Sequence, residues 1–176
     1  ILPSSNYKNI TTNSNKYIIG PSVNLTNVNL SGSDLSGFDL SGCNLSGTNL
    51  TNTKTGPLIN FPTNLPSSNY KNITINSRKY IIGPSVNLTN VDLSGFDLSG
   101  FDLSGINLKN ANLTNTKTGP LINFPYILPS NNYKNITTNS GKYIIGPSVN
   151  LTDSDLSGSD LSGFDLFGIN LTNVKT

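Results

Sequence analysis

The sequence predicts an all-β chain wound into a four-sided coil of about 20 residues per lap, and three observations predict it. An Asn-Leu or Asp-Leu pair recurs every five residues, as in "NLSGSDLSGFDLSGCNLSGTNL", residues 29–50. Two places after each of these leucines stands a residue that tolerates positive φ: ten Gly, six Asn and Asp153 over seventeen sites. A longer period encloses the short one, because "LPSSNYKNIT" begins at Leu2 and Leu65 and "LPSNNYKNIT" at Leu128, 63 residues apart both times.

A period of five suits neither an α-helix nor a plain strand, whose side chains repeat every 3.6 and 2 residues. It does suit a chain that runs straight for two or three residues and then turns a corner. The leucine and the residue two before it share one side of such an extended segment, which points them inward together. This assigns Leu25, Leu30, Leu35, Phe38, Leu40, Cys43, Leu45 and Leu50 to the core of the first run. Leu88, Phe96, Phe101, Ile106 and Leu113 serve the second, and Leu151, Phe164 and Leu171 the third. The Gly, Asn or Asp that follows takes the third position of a type II turn. Four such corners close a square, and successive laps stack at about 4.8 Å by β-type hydrogen bonds.

The 63-residue period divides the chain into residues 1–63 with pentads over 23–53, residues 64–126 with pentads over 86–116, and an incomplete 127–176 with pentads over 149–174. The third run has five pentads where the others have six. Each run is entered through a linker ending "KYIIGPSV", and the first two close with "KTGPLINFP". Since 63 is three laps and three residues, the linkers are expected to continue the solenoid with a short bulge, placing Phe38, Phe101 and Phe164 on one inner face. The alternative is a linker that leaves the coil as a hairpin, with "NYKNIT" and "KYIIG" as its strands. Residues one lap apart become neighbours: Asn24 with Asn44, Asn87 with Asn107 and Asn150 with Asn170, and as opposite charges Asp34 with Lys54, Asp97 with Lys117 and Asp155 with Lys175.

These pentads resemble the pentapeptide-repeat family, whose motif is A(D/N)LXX. The resemblance covers about half the chain and implies a right-handed four-sided β-helix, or β-solenoid. Where the family favours Ala, this chain often carries Val, Ile or Phe, as at Val23, Phe38 and Ile106, which implies somewhat wider laps. Family members that mimic DNA and bind type II topoisomerases are strongly acidic, whereas this chain has a net charge of +2. That balance speaks against a DNA mimic and is too small to argue for nucleic-acid binding.

The 176 residues contain no His, Glu, Trp or Met, and all nine acidic residues are Asp within the pentads. General acid–base chemistry would fall to those Asp, which the motif already employs, so no enzyme, catalytic residue, cofactor or metal site is expected. The lone Cys43 sits at an inward position, where a thiol behaves as a small buried hydrophobe. No run is long and apolar enough for a membrane span. The absence of Met points to a processed chain or a slice of a longer one. Of the eleven basic residues, Lys109 alone lies inside a pentad run.

The leading expectation is a structural β-solenoid rod of about eight laps and about 40 Å. It would form a segment of a self-assembling extracellular or virion-associated fibre or coat, on an extracellular or virion surface. Nearly identical units suit a spacer, and ends without a capping segment invite stacking. The partner is then the chain itself, with Lys71, Arg78, Lys79 and Phe167 as candidate contacts between rods. A binding or display module for glycans or a protein partner is the alternative. Eleven N-x-S/T sequons occur, and Asn9, Asn72 and Asn135, in the linker phrase "NIT", are candidates for glycosylation. Ice binding through Thr26, Thr51, Thr89, Thr114, Thr152 and Thr172 is a third reading, weakened because these do not form an unbroken ladder.

Overall fold

In the computed structural model, which describes residues 2–12 and 15–176, the chain is all-β, with no helix among the described residues. It divides into two compact units, Ile1–Asn87 and Leu88–Thr176. The division falls inside the second pentad run and does not follow the 63-residue period.

Every pentad turns for the same local reason. In the first, the Val28 N–H donates to the Leu25 carbonyl (3.1 Å), and Asn27 between them has φ 59°. The same left-handed residue recurs at Gly32, Gly37, Gly42, Gly47 and Asn52, and throughout the second and third runs. The Asn or Asp before the leucine completes the corner, because its side-chain oxygen accepts the N–H two residues on. Thr26 donates to Asn24 Oδ1 at 3.0 Å and Ser36 to Asp34 Oδ1 at 2.8 Å. The third place of the turn thus needs positive φ, and the place before the leucine needs a short side-chain acceptor. A further corner at Gly20-Pro21-Ser22-Val23 uses Pro at the second place and puts Ser22 at φ 62°.

The straight segments meet others one lap away. In the N-terminal unit, parallel bridges join Asn24 to Asn44, Asn29 to Asn49 and Asp34 to Lys54, twenty residues apart, and Asp39 to Asn60. In the C-terminal unit they join Asp92 to Asn112, Asp97 to Lys117, Asp102 to Asn123 and Asn150 to Asn170. Of the three expected charge pairs, Asp34 and Lys54 bring their charged atoms together, at 3.3 Å and well exposed; such a pair contributes about 1 kcal/mol at most. The amide oxygens of Asn24 and Asn44 are turned to their own corners, at Thr26 and Ser46. Side-chain rungs form instead at Asn110 to Asn90 (3.2 Å), Asn112 to Asp92 (3.0 Å) and Asn173 to Asp153 (3.0 Å).

The linkers do not continue the lap with a three-residue bulge. They leave it as antiparallel hairpins: β1 (Lys8–Thr11) with β2 (Lys16–Ile19), β3 (Lys71–Ile75) with β4 (Arg78–Ile82), and β5 (Lys134–Thr138) with β6 (Gly141–Ile145). Lys54 bridges Asn87, and Lys117 bridges Asn150, each 33 residues on in place of twenty. Each of these two hairpins is therefore a thirteen-residue excursion, and 63 residues make two and a half laps plus that excursion. Asn24 lines up with Asn44 and Asn64, but its counterpart Asn87 lines up with Asp34 and Lys54, half a lap away. By the same offset in the C-terminal unit, Phe101 and Phe164 lie half a lap apart and not on one inner face.

The second and third hairpins dock on the closing phrase that precedes them. Leu58 N–H donates to the Lys79 carbonyl (2.8 Å), and the buried Thr55 hydroxyl donates to the Ile81 carbonyl (2.5 Å); Leu121 with Lys142 and Thr118 with Ile144 repeat both bonds. The approach is close enough to require glycine, since a β-carbon on Gly56 would come within 2.5 Å of the Lys79 carbonyl oxygen. At the base of each hairpin a tyrosine hydroxyl donates to the carbonyl of the Pro of "GPS": Tyr7 to Pro21, Tyr70 to Pro84 and Tyr133 to Pro147. In the C-terminal unit the hairpin also bonds the lap that follows, Ser140 Oγ donating to the Asp155 carbonyl (2.6 Å) and Lys134 Nζ to that of Gly163 (2.5 Å).

The core is a stack of leucines. Leu25, Leu30, Leu35, Leu40, Leu45, Leu50, Leu88, Leu113 and Leu151 are buried, with Phe38, Cys43, Phe101 and Ile106 beside them. Hairpin residues Ile81, Ile82, Ile144 and Ile145 are buried as well. Buried threonines replace some apolar residues without cost because each hydroxyl finds a carbonyl, as Thr48 does at Leu25 (2.7 Å) and Thr53 at Leu30 (2.8 Å). Three expected core residues are not buried. Phe96 is half-buried, its ring meeting Phe101 edge-on at 5.6 Å. Phe164 is half-buried and Leu171 is 44% exposed, because bonds from a following lap reach Leu151 and Leu156 but go no further along this run.

Burial therefore separates leucines that the pentad pattern treats as equal. Leu40→Ala is expected to lose about 2–5 kcal/mol in chemical denaturation, and Leu171→Ala less than about 1 kcal/mol. Equal losses at the two positions would contradict the burial described.

Candidate functional site

The corners commit the carboxylates. The Ser41 N–H donates to Asp39 Oδ1 (3.0 Å) and holds that carboxyl below its usual range against the opposing effect of burial. Partial burial pushes Asp34 and Asp102 up, but bonds from Ser36 and Lys54, and from Ser104 and Asn123, outweigh it and leave both lowered. The Ser157 and Ser162 corners lower Asp155 and Asp160 in the same way. A carboxylate held ionised by its own backbone is a poor general acid or base near neutral pH. Cys43 is fully buried, its thiol raised by burial and placed 3.1 Å from the Gly20 carbonyl oxygen, which makes it an unreactive core residue. Among the described residues no three His, Cys, Asp or Glu side chains gather as a metal site, and no helix is long and apolar enough to cross a membrane.

Several basic residues face their own chain. Lys79 Nζ donates to the Ile59 carbonyl (2.8 Å) and Asn60 Oδ1 (3.0 Å) and lies 5.8 Å from the Phe61 ring centre; Lys142 repeats this at Ile122, Asn123 and Phe124. Lys8 sits over Phe38 as Lys134 sits over Phe164. Arg78 is exposed where β4 begins, and Lys71 is exposed at the start of β3. Phe167 is 80% exposed. Asn9, Asn72 and Asn135 are all exposed on hairpin strands, with Asn72 Nδ2 3.5 Å from the Pro62 carbonyl oxygen. The hydroxyls of Thr26 and Thr172 turn back to Asn24 and Asn170, so these threonines do not present a uniform outward row.

A groove of about 670 Å³ opens in the C-terminal unit where the closing phrase passes into the third linker. Lys109 and Asn110 border it from a corner of the second run, Pro125 from the end of the closing phrase, Tyr126 from the next position, and Pro129 and Tyr133 from the linker. Tyr126 is 80% exposed. The walls are tied together by backbone bonds: Tyr126 to Ile106 (2.9 Å), Leu108 to Ile127 (2.9 Å) and Asn110 to Pro129 (3.0 Å). The sequence signal for this site was Lys109, the one basic residue inside a pentad run; nothing local showed that Tyr126 would face it. A second, smaller and more polar groove of about 400 Å³ lies between strand β5 and the third run, at Thr137, Asn139, Ser157 and Asp160 among others.

A family model of pentapeptide repeats matches residues 23–54, 87–117 and 148–175, in eight copies. No curated protein and no solved structure matches the chain.

The capped carboxylates give stability a defined pH dependence. Their folded pKa values lie below the ordinary 3.8, so the stability they confer is complete above that value and is lost as pH falls through it toward the folded values. The chain has no His and the Cys43 thiol is shifted upward, so the melting temperature is expected to be flat from about pH 5 to 8 and to fall below about pH 4. Circular dichroism melts across that range check it; a melting temperature maintained down to about pH 2 would be inconsistent with the corner geometry.

Proposed function

This chain belongs to the pentapeptide-repeat family, and on that footing we propose that it is a structural module, a right-handed four-sided β-helix that extends by repeating one 63-residue unit. Its role is that of a segment in a self-assembling fibre or coat, extracellular or on a virion. The observation that carries this reading is the hairpin of the C-terminal unit, which bonds the closing phrase before it and the run after it. A joint of that kind can recur at each period and lets units be added without redesign. Only ten of 63 positions differ between residues 1–63 and 64–126, which suits a spacer better than a collection of separate sites.

The chain is its own partner on this reading. Exposed Arg78, Lys71 and Phe167 supply lateral contacts together with Lys79, whose ammonium also bonds Ile59 and Asn60. In a glycosylating secretory route the exposed Asn9, Asn72 and Asn135 would carry sugar. A display module is the second reading, favoured by the groove beside Tyr126. A DNA mimic is not, given the net charge of +2.

Electron microscopy and fibre diffraction of the purified chain test the assembly. Filaments with a meridional spacing of about 4.8 Å are expected, since the strands would lie across the axis. Arg78→Asn, which installs the residue found at Asn15, is expected to leave filaments intact while reducing their bundling at low salt. Monodisperse particles at all concentrations would overturn the fibre.

A further inference from the structure

The two complete 63-residue copies differ at ten positions, and three of the ten border one groove. Ser46 of the first copy becomes Lys109 in the second, Gly47 becomes Asn110, and Thr63 becomes Tyr126. The next residue changes in the same sense, from Asn64 to Ile127, which also lines the groove. The substitutions exchange small side chains for a cation, an amide, a phenol ring and an apolar wall. The first copy folds the equivalent corner without them, although Asn110 here takes the corner's positive φ of 58° and its amide bonds Asn90 one lap away at 3.2 Å.

The groove is held in shape before anything enters it. The N–H groups of Tyr126 and Ile127 both donate to the Ile106 carbonyl, at 2.9 and 3.1 Å. Pro125 and Pro129 fix the backbone on either side, and the Tyr133 hydroxyl is tied to the Pro147 carbonyl at 3.2 Å. Its volume of about 670 Å³ lies within the range of small-ligand sites. A tyrosine 80% exposed at the mouth of such a groove presents a flat apolar face that water covers poorly.

We propose that this groove binds an acidic saccharide, a short oligosaccharide bearing carboxylates. A sugar ring has an apolar C–H face and a rim of hydroxyls. The face matches the Tyr126 ring, and the hydroxyls match the amides of Asn131 and Asn135. Lys109 supplies the charge complement to a carboxylate. This sharpens the display reading above and does not depend on filament formation. Asn135 lies both in the groove and in a sequon, so sugar attached there would occupy the site.

Isothermal titration calorimetry tests it, with protein made in a non-glycosylating host so that Asn135 is bare. The probes are trigalacturonate and its neutral counterpart, galactotriose. The unmodified chain is expected to bind trigalacturonate about tenfold more tightly than the neutral sugar. Tyr126→Thr should weaken both by about tenfold or more, and Lys109→Ser should remove the preference for the acid while sparing the neutral sugar. Both variants install residues that the first copy carries at positions 63 and 46, so circular dichroism should be unchanged. Binding by the unmodified chain that Tyr126→Thr leaves intact would overturn the groove and keep a display role elsewhere. No binding of either sugar would overturn the groove and the display reading together, leaving the fibre untouched.

Discussion

The constraint on which this molecule depends is the corner: a residue with φ near 60–70° every fifth position, with an Asn or Asp oxygen two residues before the N–H it accepts. Without the first, a leucine could not face inward at each side of the lap. Without the second, an N–H at every corner would lose its partner. Because the turn is local, it can be copied indefinitely, and the lap it creates brings residues twenty apart into backbone contact. Local geometry and long-range pairing thus come from the same five residues.

The hairpins place the second constraint on the structure. The second and third have to meet the closing phrase before them at close range, which accounts for glycine at Gly56 and Gly119 and for the threonines beside them, whose hydroxyls reach the carbonyls of Ile81 and Ile144. Tyrosines at the hairpin bases close the other side, against glycines where a β-carbon would strike the ring. The phrases "NYKNIT", "KYIIGPS" and "KTGPLINFP" are therefore three faces of one joint. Within the C-terminal unit the thirteen-residue excursion sets Asn150 beside Lys117, so Phe101 and Phe164 lie half a lap apart.

The same economy governs the polar side chains. Polar side chains that could act on a substrate are engaged at home: Asp at corners, buried Thr at carbonyls, and Lys79 and Lys142 on carbonyls of their own closing phrases. Every buried side-chain nitrogen and oxygen among the described residues has a hydrogen-bond partner. New surface properties must then enter where a copy departs from its neighbour. Lys109, Asn110 and Tyr126 are such departures, and they border one groove.

The sequence by itself determined the pentads, the corners and most of the core, because tolerance of positive φ and the two-residue spacing of inward side chains are properties of a few adjacent residues. Gly32, Asn27 and Leu40 could be assigned from their immediate neighbours. The tertiary structure decided the path of the linkers, since 63 divides equally well into three laps and a bulge or two and a half laps and a hairpin. What separates the two is the pairing of Leu58 with Lys79 and the burial of Thr55 against Ile81, contacts more than twenty residues apart that no local rule specifies. It also decided the exposure of Leu171 and the groove that Tyr126 and Lys109 both border, for burial and adjacency depend on which lap lies above a residue, and a repeating pattern is the same on every lap.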